Sequence, residues 1–105
     1  MPPFLLCLLD SSEVRLFLDL RMLESSIEST DVLNQEYLAY DSLGRVVDLT
    51  VDPLGVARAS LSNVHRPSDL RTWILTNYRS DSEISDGHTL PEMISSLKSI
   101  YRYDD

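Results

Sequence analysis

Cysteine, glycine and long apolar runs are scarce in this sequence of 105 residues. The single cysteine, Cys7, has no partner for an internal disulfide, so a secreted disulfide scaffold is not predicted and a reducing cytoplasm is the expected location. The longest apolar run, residues 4–9, is far shorter than the roughly 20 residues that cross a bilayer. It also lacks the basic lead-in and the small-residue cleavage site of a signal peptide. We expect no association with membranes.

Glycine and histidine are too few and too scattered for the common signatures of catalytic and nucleotide-binding sites. The three glycines stand alone, so no glycine-rich phosphate loop is predicted, and no Gly-x-Ser-x-Gly nucleophile motif occurs. His65 and His88 are far apart and Cys7 has no neighbouring cysteine, whereas a zinc site needs three or four converging ligands. We therefore predict no catalytic residues, no metal site and no cofactor.

Acidic residues outnumber basic ones in this sequence. It carries 17 Asp and Glu against nine Lys and Arg, for a formal net charge of -8. This charge repels phosphate backbones, so nucleic acid is not an expected partner. Residues 53–80 are basic, with four arginines against Asp69, and we interpret those arginines as ion-pair partners of neighbouring acids. An acidic surface of this kind favours either solubility or recognition of a basic protein.

Residues 13–27 fit two local patterns. Apolar residues from Leu16 to Ile27 recur at spacings of three and four, which is typical of the buried face of a helix. Apolar residues also occupy every second position over residues 14–22, which is typical of a strand, and residues 4–9 would then pair with them in a hairpin. Leucine, arginine, methionine and glutamate have good helix propensity, and the β-branched residues that favour strands are few here. We predict the helix, with the hairpin as the alternative.

The middle of the sequence predicts three antiparallel strands joined by two similar turns. Residues 41–44, Asp-Ser-Leu-Gly, and residues 52–55, Asp-Pro-Leu-Gly, both place turn formers at their first and last positions. The segments 36–40, 45–51 and 56–62 around them are typical of strands. We expect the inner face of this meander to hold Val47, Leu49, Val51, Ala57, Ala59 and Leu61.

Two helices are predicted after the strands. Residues 67–69, Pro-Ser-Asp, combine a proline, a capping hydroxyl and an acid, which favours the start of a helix. Thr89 and Glu92 stand three residues apart as in a capping box, with Pro91 between them. The buried positions predicted from helical spacing are Leu70, Trp73, Ile74 and Tyr78 in the first helix and Met93, Ile94, Leu97, Ile100 and Tyr101 in the second.

The acidic segment 81–92 between these helices resembles an EF-hand calcium loop. The first, third, fifth and twelfth positions of that pattern hold Asp81, Glu83, Ser85 and Glu92. The sixth position, which needs glycine, is Asp86, and the eighth, which is apolar in the family, is His88. We interpret the segment as a solvated acidic loop. A small ligand- or metal-binding domain that uses this loop and a nearby histidine is the alternative function.

One face of the predicted meander is too apolar for ordinary solvent-exposed surface. It would present Leu38, Tyr40, Val46, Thr50 and Val56 beside Asp48 and Arg58. Tyrosine and branched aliphatic side chains with a charged rim are typical of a protein-recognition site or a homodimer interface. Packing of the N-terminal segment over this face is the alternative. The candidate interaction residues are Tyr37, Tyr40, Asp41, Val46, Asp48 and Arg58.

Together these patterns predict one α+β domain over residues 1–105. The expected order is a helix, a three-stranded antiparallel meander and two further helices, with the helices mainly on one face of the sheet. The expected function is that of a small, acidic, non-catalytic protein-binding module, an inhibitor or immunity-type partner of a basic protein, rather than an enzyme. Homodimerisation is a second expected mode of association.

Overall fold

The computed structural model describes residues 3–78, 84 and 87–100. Its elements in chain order are β1 (Phe4–Leu8), β2 (Glu13–Phe17), α1 (Leu20–Ser26), α2 (Ser29–Leu33), β3 (Tyr37–Tyr40), β4 (Arg45–Val51), β5 (Ala57–His65), α3 (Pro67–Tyr78) and α4 (Leu90–Ile100). The strands form an antiparallel sheet in the order β2-β1-β3-β4-β5. The protein therefore has an α+β fold.

The sheet has five strands, so the prediction of a three-stranded meander was wrong. Strands are present at 37–40, 45–51 and 57–65, but β1 pairs with both β2 and β3 and thereby adds two strands to the sheet. All of β1 except Leu8 is buried. A short strand that is buried on both faces shows no alternation, so residues 4–9 carried no periodic strand signal.

The helix predicted within residues 13–27 was also wrong in its first part, residues 13–17. Glu13–Phe17 is β2, which pairs with β1 in the register Leu5↔Leu16 and Cys7↔Val14, as the alternative hairpin interpretation requires. A helix begins only at α1, where the Asp19 carboxylate accepts a hydrogen bond from the Met22 N–H at 2.8 Å. Val14 and Leu16 are buried in the core that α3 and α4 form. Burial against these distant helices outweighs the local helix propensity.

Helices cover both faces of the sheet, which corrects the expectation that they lie mainly on one face. On one face, β1, β2 and β3 pack against α3 and α4 through Leu5, Cys7, Val14, Leu16, Tyr40, Leu70, Ile74, Leu75, Tyr78, Met93, Ile94 and Leu97. On the other face, the core formed with α1 and the segment after it holds Phe4, Leu6, Phe17, Leu23, Ile27, Ala39, Val47 and Ala57. Alternate residues of the central strands supply the two cores, because successive side chains of a strand point to opposite faces.

Helices α3 and α4 begin at Pro67 and Leu90, where the sequence predicts helix starts, and α4 has the predicted capping box. In the capping box, the Thr89 N–H donates to Glu92 Oε1 at 2.8 Å and the Glu92 N–H donates to Thr89 Oγ1 at 3.4 Å. These bonds hold the pKa of Glu92 below its ordinary value, with the backbone N–H of Thr89 as the main cause. The predicted stripe is buried at Leu70, Ile74, Tyr78, Met93, Ile94 and Leu97, and Trp73 is half-buried. Tyr101 and the side chain of Ile100 lie outside the described part.

Each edge strand has a main-chain N–H that is hydrogen-bonded to a side chain. On β2, the Val14 N–H donates to the Tyr78 hydroxyl of α3 at 2.8 Å in a buried position. On β5, the Ala59 N–H donates to Glu24 Oε2 of α1 at 2.8 Å. A side chain bound at this position hinders pairing with a further strand, which is one way that proteins protect sheet edges.

Candidate binding groove

Strands β3 and β4 separate soon after the turn that joins them. In the described chain their register consists of Tyr40↔Val46, whereas β1 and β3 pair continuously from Leu5↔Tyr40 to Leu8↔Tyr37. The separation leaves a cavity of about 440 Å³ between the strands, which we call the strand cleft. Its lining consists of residues 37–40 and 46–49 together with Leu9, Val32 and Gln35.

A cavity of about 590 Å³ lies between α3 and the same two strands. We call it the helix groove. The strands contribute Leu38, Tyr40 and Val46, and the helix side contributes Arg66, Asp69, Thr72, Trp73, Thr76 and Asn77. The three strand residues also border the strand cleft, so the two cavities adjoin.

Helix α3 places Trp73 at the boundary between the core and the helix groove. The indole ring is half-buried, with its centroid 6.0 Å from that of Tyr78. Two polar neighbours are bonded within the helix, since Thr76 Oγ1 donates to the Thr72 carbonyl at 2.8 Å and Asn77 Nδ2 donates to the Trp73 carbonyl at 2.9 Å. This side of the groove therefore presents mainly an aromatic ring and side-chain carbon atoms.

Tyr40 is the most buried residue of the helix groove, with 4% of its surface exposed. Burial is the main cause that raises the pKa of its phenol, Cys7 and Asp69 raise it further, and Arg66 opposes them. The phenol is therefore neutral near pH 7 and can donate or accept a hydrogen bond. Arg66 and Asp69 form an exposed ion pair of 4.0 Å at the start of α3, a separation at which solvent screens most of the attraction.

Asp48 places a carboxylate at the strand cleft. It is exposed on β4, and the structure shows no hydrogen bond or ion pair to its side chain from any residue that it describes. Asp48 lies two residues after Val46 on the same strand, so its side chain points to the same face of the sheet. Tyr40 shares this face because it pairs directly with Val46. A negative charge thus stands beside the apolar floor shared by both cavities.

The remaining sequence candidates occupy different positions. Tyr37 lines the strand cleft, and its hydroxyl donates to Asp31 Oδ2 at 3.1 Å and accepts from the Glu28 N–H at 3.3 Å. Asp41 is buried in the turn after β3 and lines neither cavity. Arg58 lies on β5, where it is ion-paired with Asp52 of the preceding turn and with Glu24 of α1. The structure therefore brings four candidates together at the strand cleft, namely Tyr37, Tyr40, Val46 and Asp48. Asp41 and Arg58 lie outside both cavities.

The face on which Tyr40, Val46 and Asp48 lie is only partly covered. Tyr40 is buried and Val46 is half-buried, whereas Val56, which the sequence pattern assigned to the same face, is 47% exposed. The covering element is α3, not the N-terminal segment, since residues 4–8 form strand β1 within the sheet, between β2 and β3. The accessible part includes the helix groove and the strand cleft.

The contribution of α3 to this site does not follow from the sequence pattern. Trp73 was predicted as a buried residue of its helix, and Arg66, Asp69 and Thr76 were not assigned to any site. The sequence does contain a usable signal, because threonines stand on both sides of Trp73, at positions 72 and 76. Both threonines are exposed in the structure. That signal shows a polar boundary on the helix, but it does not show which strands lie beside it.

The cysteine and the histidines do not form a reactive group in the described chain. Burial raises the pKa of the Cys7 thiol, which disfavours the reactive thiolate. His65 is exposed at the end of β5, and the His88 carbonyl accepts a hydrogen bond from Arg71 Nη2 at 3.1 Å. Within residues 3–78, 84 and 87–100, no group of three or more His, Cys, Asp or Glu side chains is suited to hold a metal ion.

Most of the EF-hand-like segment lies outside the described residues. This applies to Asp81, Glu83, Ser85 and Asp86. Ile84 is buried in the core with α3 and α4, and the Glu92 carboxylate is engaged in the capping box of α4. The interpretation of this segment as a solvated acidic loop stays a prediction.

Comparison with known proteins assigns no family to the chain. No protein-family model matches it, and no curated protein and no solved structure matches it.

In the part of the chain that the structure describes, no helix combines the length and the apolar character needed to span a bilayer.

Proposed function

We propose that this protein is a non-catalytic binding module that holds a segment of a partner protein in the helix groove. The observation that carries the proposal is the apolar floor of the groove, where Leu38 keeps 39% of its surface exposed beside the half-buried Val46 and Trp73. Large apolar and aromatic side chains that meet at a concave surface are typical of the centre of a protein-recognition site.

The polar groups of the helix groove are better suited to binding than to bond making. The Tyr40 phenol has a raised pKa, so it stays protonated near pH 7 and is not available as a general base. Arg66 and Asp69 are paired with each other, and Thr76 donates to its own helix. These groups can orient a bound segment through hydrogen bonds at the rim, while the apolar floor contributes most of the binding free energy.

We expect the partner to be basic. The chain carries a net charge of -8, and the Asp48 carboxylate stands exposed beside the groove. Complementary charge accelerates the association of two proteins, and this acceleration weakens as salt screens it.

Photo-crosslinking from the groove tests this function. A photoreactive phenylalanine in place of Leu38, in cells that produce this protein, should form a covalent adduct with the partner. The same residue in place of Leu54, which is 88% exposed in the turn after β4, is the matched control. The partner is identified by mass spectrometry, purified and titrated by calorimetry. Leu38→Lys should raise the Kd at least tenfold, which corresponds to about 1.4 kcal/mol, and Leu54→Lys should change it less than about twofold.

Two results would count against the proposal. Equal adduct yields from positions 38 and 54, or equal affinity of Leu38→Lys and the wild type for the purified partner, would show that the groove does not bind it. Raising the salt concentration from about 0.05 M to about 0.5 M should slow association. An unchanged association rate would contradict the basic character of the partner.

A further inference from the structure

In the part of the chain that the structure describes, the sheet face that carries the helix groove is uncovered over β5 and over β4 beyond Val46. Helices α3 and α4 pack on β2, β1 and β3. On the same face of the next two strands, Asp48, Thr50, Arg58 and Ser60 are exposed. Their register, Asp48↔Ser60 and Thr50↔Arg58, places the four side chains next to one another. The helix groove is therefore the border between a covered part and an open part of one face.

The open part has the width of one helix. Two strands spaced at about 4.8 Å occupy about 10 Å, and packed helices lie about 8–10 Å apart. A helix placed on β4 and β5 beside α3 would therefore extend the existing helical layer by one member. The alternative, addition of a strand to β5, is hindered where the Ala59 N–H is already bound by Glu24.

Asp48 supplies the charge that selects the occupant. The other charge on this open part, Arg58, is bound to Asp52 Oδ2 at 3.0 Å and lies 3.6 Å from Glu24 Oε1. The carboxylate of Asp48 has no such partner among the described residues. A cationic group is therefore the complement of this position.

We propose that the occupant is an amphipathic helix of the partner, with a large apolar side chain in the helix groove and a Lys or Arg one turn away against Asp48. The inference rests on the proposed binding function of the groove. Leu38, Tyr40 and Val46 border both cavities, so the two anchoring side chains must be neighbours. Helix positions i and i+4 meet this need, because their Cβ atoms lie about 5–6 Å apart.

Three stapled, tryptophan-free peptides test whether the occupant is a helix. Each has about 18 residues, a length at which a helix spans about 27 Å. The first carries leucines and lysines at i and i+4 along one face, the second has the same composition with these residues on opposite faces, and the third replaces each lysine by glutamate. Trp73 is the only tryptophan of the chain, so its fluorescence reports occupation of the groove. The first peptide should bind at least tenfold more tightly than either of the others.

A charge exchange tests the role of Asp48. Asp48→Lys should weaken binding of the lysine peptide at least tenfold and should favour the glutamate peptide instead. Glu13→Lys on β2 makes the same change in net charge at the far edge of the sheet, and it should alter the Kd less than about twofold. Urea unfolding of both variants confirms that each is folded.

The outcomes separate this inference from the proposed function. Equal binding of the first and second peptides would overturn the inference that the occupant is an amphipathic helix. Equal weakening of binding by Asp48→Lys and Glu13→Lys would overturn it as well. If none of the peptides binds while the crosslinked partner still requires Leu38, the helix inference fails and the binding function stands. If neither the peptides nor the partner depends on the groove, both proposals fail.

Discussion

Two turns of the sheet share their hydrogen bonds and differ in their surroundings. In residues 41–44 and in residues 52–55, the N–H of the aspartate donates at 2.9 Å to the carbonyl of the residue after the glycine. The glycine N–H donates back to the aspartate carbonyl, at 3.1 Å for Gly44 and 2.9 Å for Gly55. Each aspartate Oδ1 accepts two more backbone N–H groups. Both glycines have a positive φ, of 83° and 80°.

The difference between the turns lies in what packs on them. Asp41 is 3% exposed, and a Cβ placed on Gly44 would lie 2.4 Å from the Cα of Pro67, the first residue of α3. The Gly44 carbonyl also accepts the Arg66 N–H at 2.8 Å. A Cβ on Gly55 would meet nothing within 4 Å. The same local sequence pattern thus forms a solvent-exposed turn in one place and the docking site for α3 in the other.

The turn at residues 41–44 controls a distant surface. The contact between Gly44 and Pro67 fixes where α3 begins, and α3 supplies Trp73 to the helix groove. The exposed turn carries no such contact. We therefore expect equal substitutions in the two turns to have unequal effects on stability.

The largest expected effect is that of Gly44→Ala. The substitution adds strain at a positive φ and forces the start of α3 to move, so the free energy of unfolding should fall by about 2–5 kcal/mol. Gly55→Ala adds only the backbone strain and should cost about 1 kcal/mol. Urea unfolding followed by Trp73 fluorescence measures both. Equal losses would show that the helix start shifts freely, and the contrast between the turns would then be lost.

Asp41→Ala should have the next largest effect. The substitution leaves the N–H groups of Leu43 and Arg45 without their buried acceptor, which costs about 2–4 kcal/mol. Asp41→Asn keeps an oxygen at the same position and should lose less. Asp52→Ala exposes the corresponding N–H groups of its turn to water, so its loss should be smaller than that of Asp41→Ala. An Asp52→Ala variant that is less stable than Asp41→Ala in urea would reverse the comparison.

The smallest expected effect is the pH dependence of the exposed turn. The backbone N–H of Val56 is the main cause that holds the pKa of Asp52 below its ordinary value, and Arg58 and the Leu54 N–H add to it. A pKa that is lower in the folded state means that the stabilisation is complete above the unfolded-state value, near pH 3.9. It is lost as the pH falls through the folded-state value.

Asp52→Asn removes this titration and serves as the test. The stability difference between the wild type and Asp52→Asn should therefore shrink as the pH is lowered from about 5 to about 2.5. Urea midpoints measured across this range give the difference directly. A difference that stays constant over the whole range would show that Asp52 does not carry this part of the acid dependence.

The predictable parts of the fold depend on residues close together in sequence. Both turns, the strands around them and the capping box of α4 follow from residue types within about four positions of each other. The inner face predicted for β4 and β5 is consistent with the register, since Val47, Leu49 and Val51 pair with Leu61, Ala59 and Ala57. Alternation is reliable there because one side of these strands is exposed.

The segment 13–17 could not be assigned because both of its periodic patterns are genuine. Its apolar residues fit a helix as well as a strand, and the deciding contacts come from far away in sequence. The Val14 N–H is bound by the Tyr78 hydroxyl, 64 residues later, and Leu16 lies opposite Leu5 of a strand that shows no alternation. Local propensity is weaker than this burial.

The candidate site was predictable only in part, because some of its residues follow from local strand patterns and the others depend on tertiary packing. Tyr40, Val46 and Asp48 were candidates because strand alternation places them on one face, and Tyr37 was a candidate as a tyrosine of the same strand. All four line the cavities. Trp73 and Arg66 were not found, because their relation to these strands depends on how α3 is placed. Asp41 and Arg58 were also candidates, but they serve the turn and the β5 ion pairs instead.

The sequence by itself determined the turns, the strands on either side of them, the starts of the last two helices and the acidic character of the chain, because each depends on residue type and near neighbours. Only the tertiary structure decided that the first two segments are strands, that helices cover both faces, and that β3 and β4 separate beside α3. These features depend on which apolar surfaces bury one another, and that pairing is set by the whole chain at once.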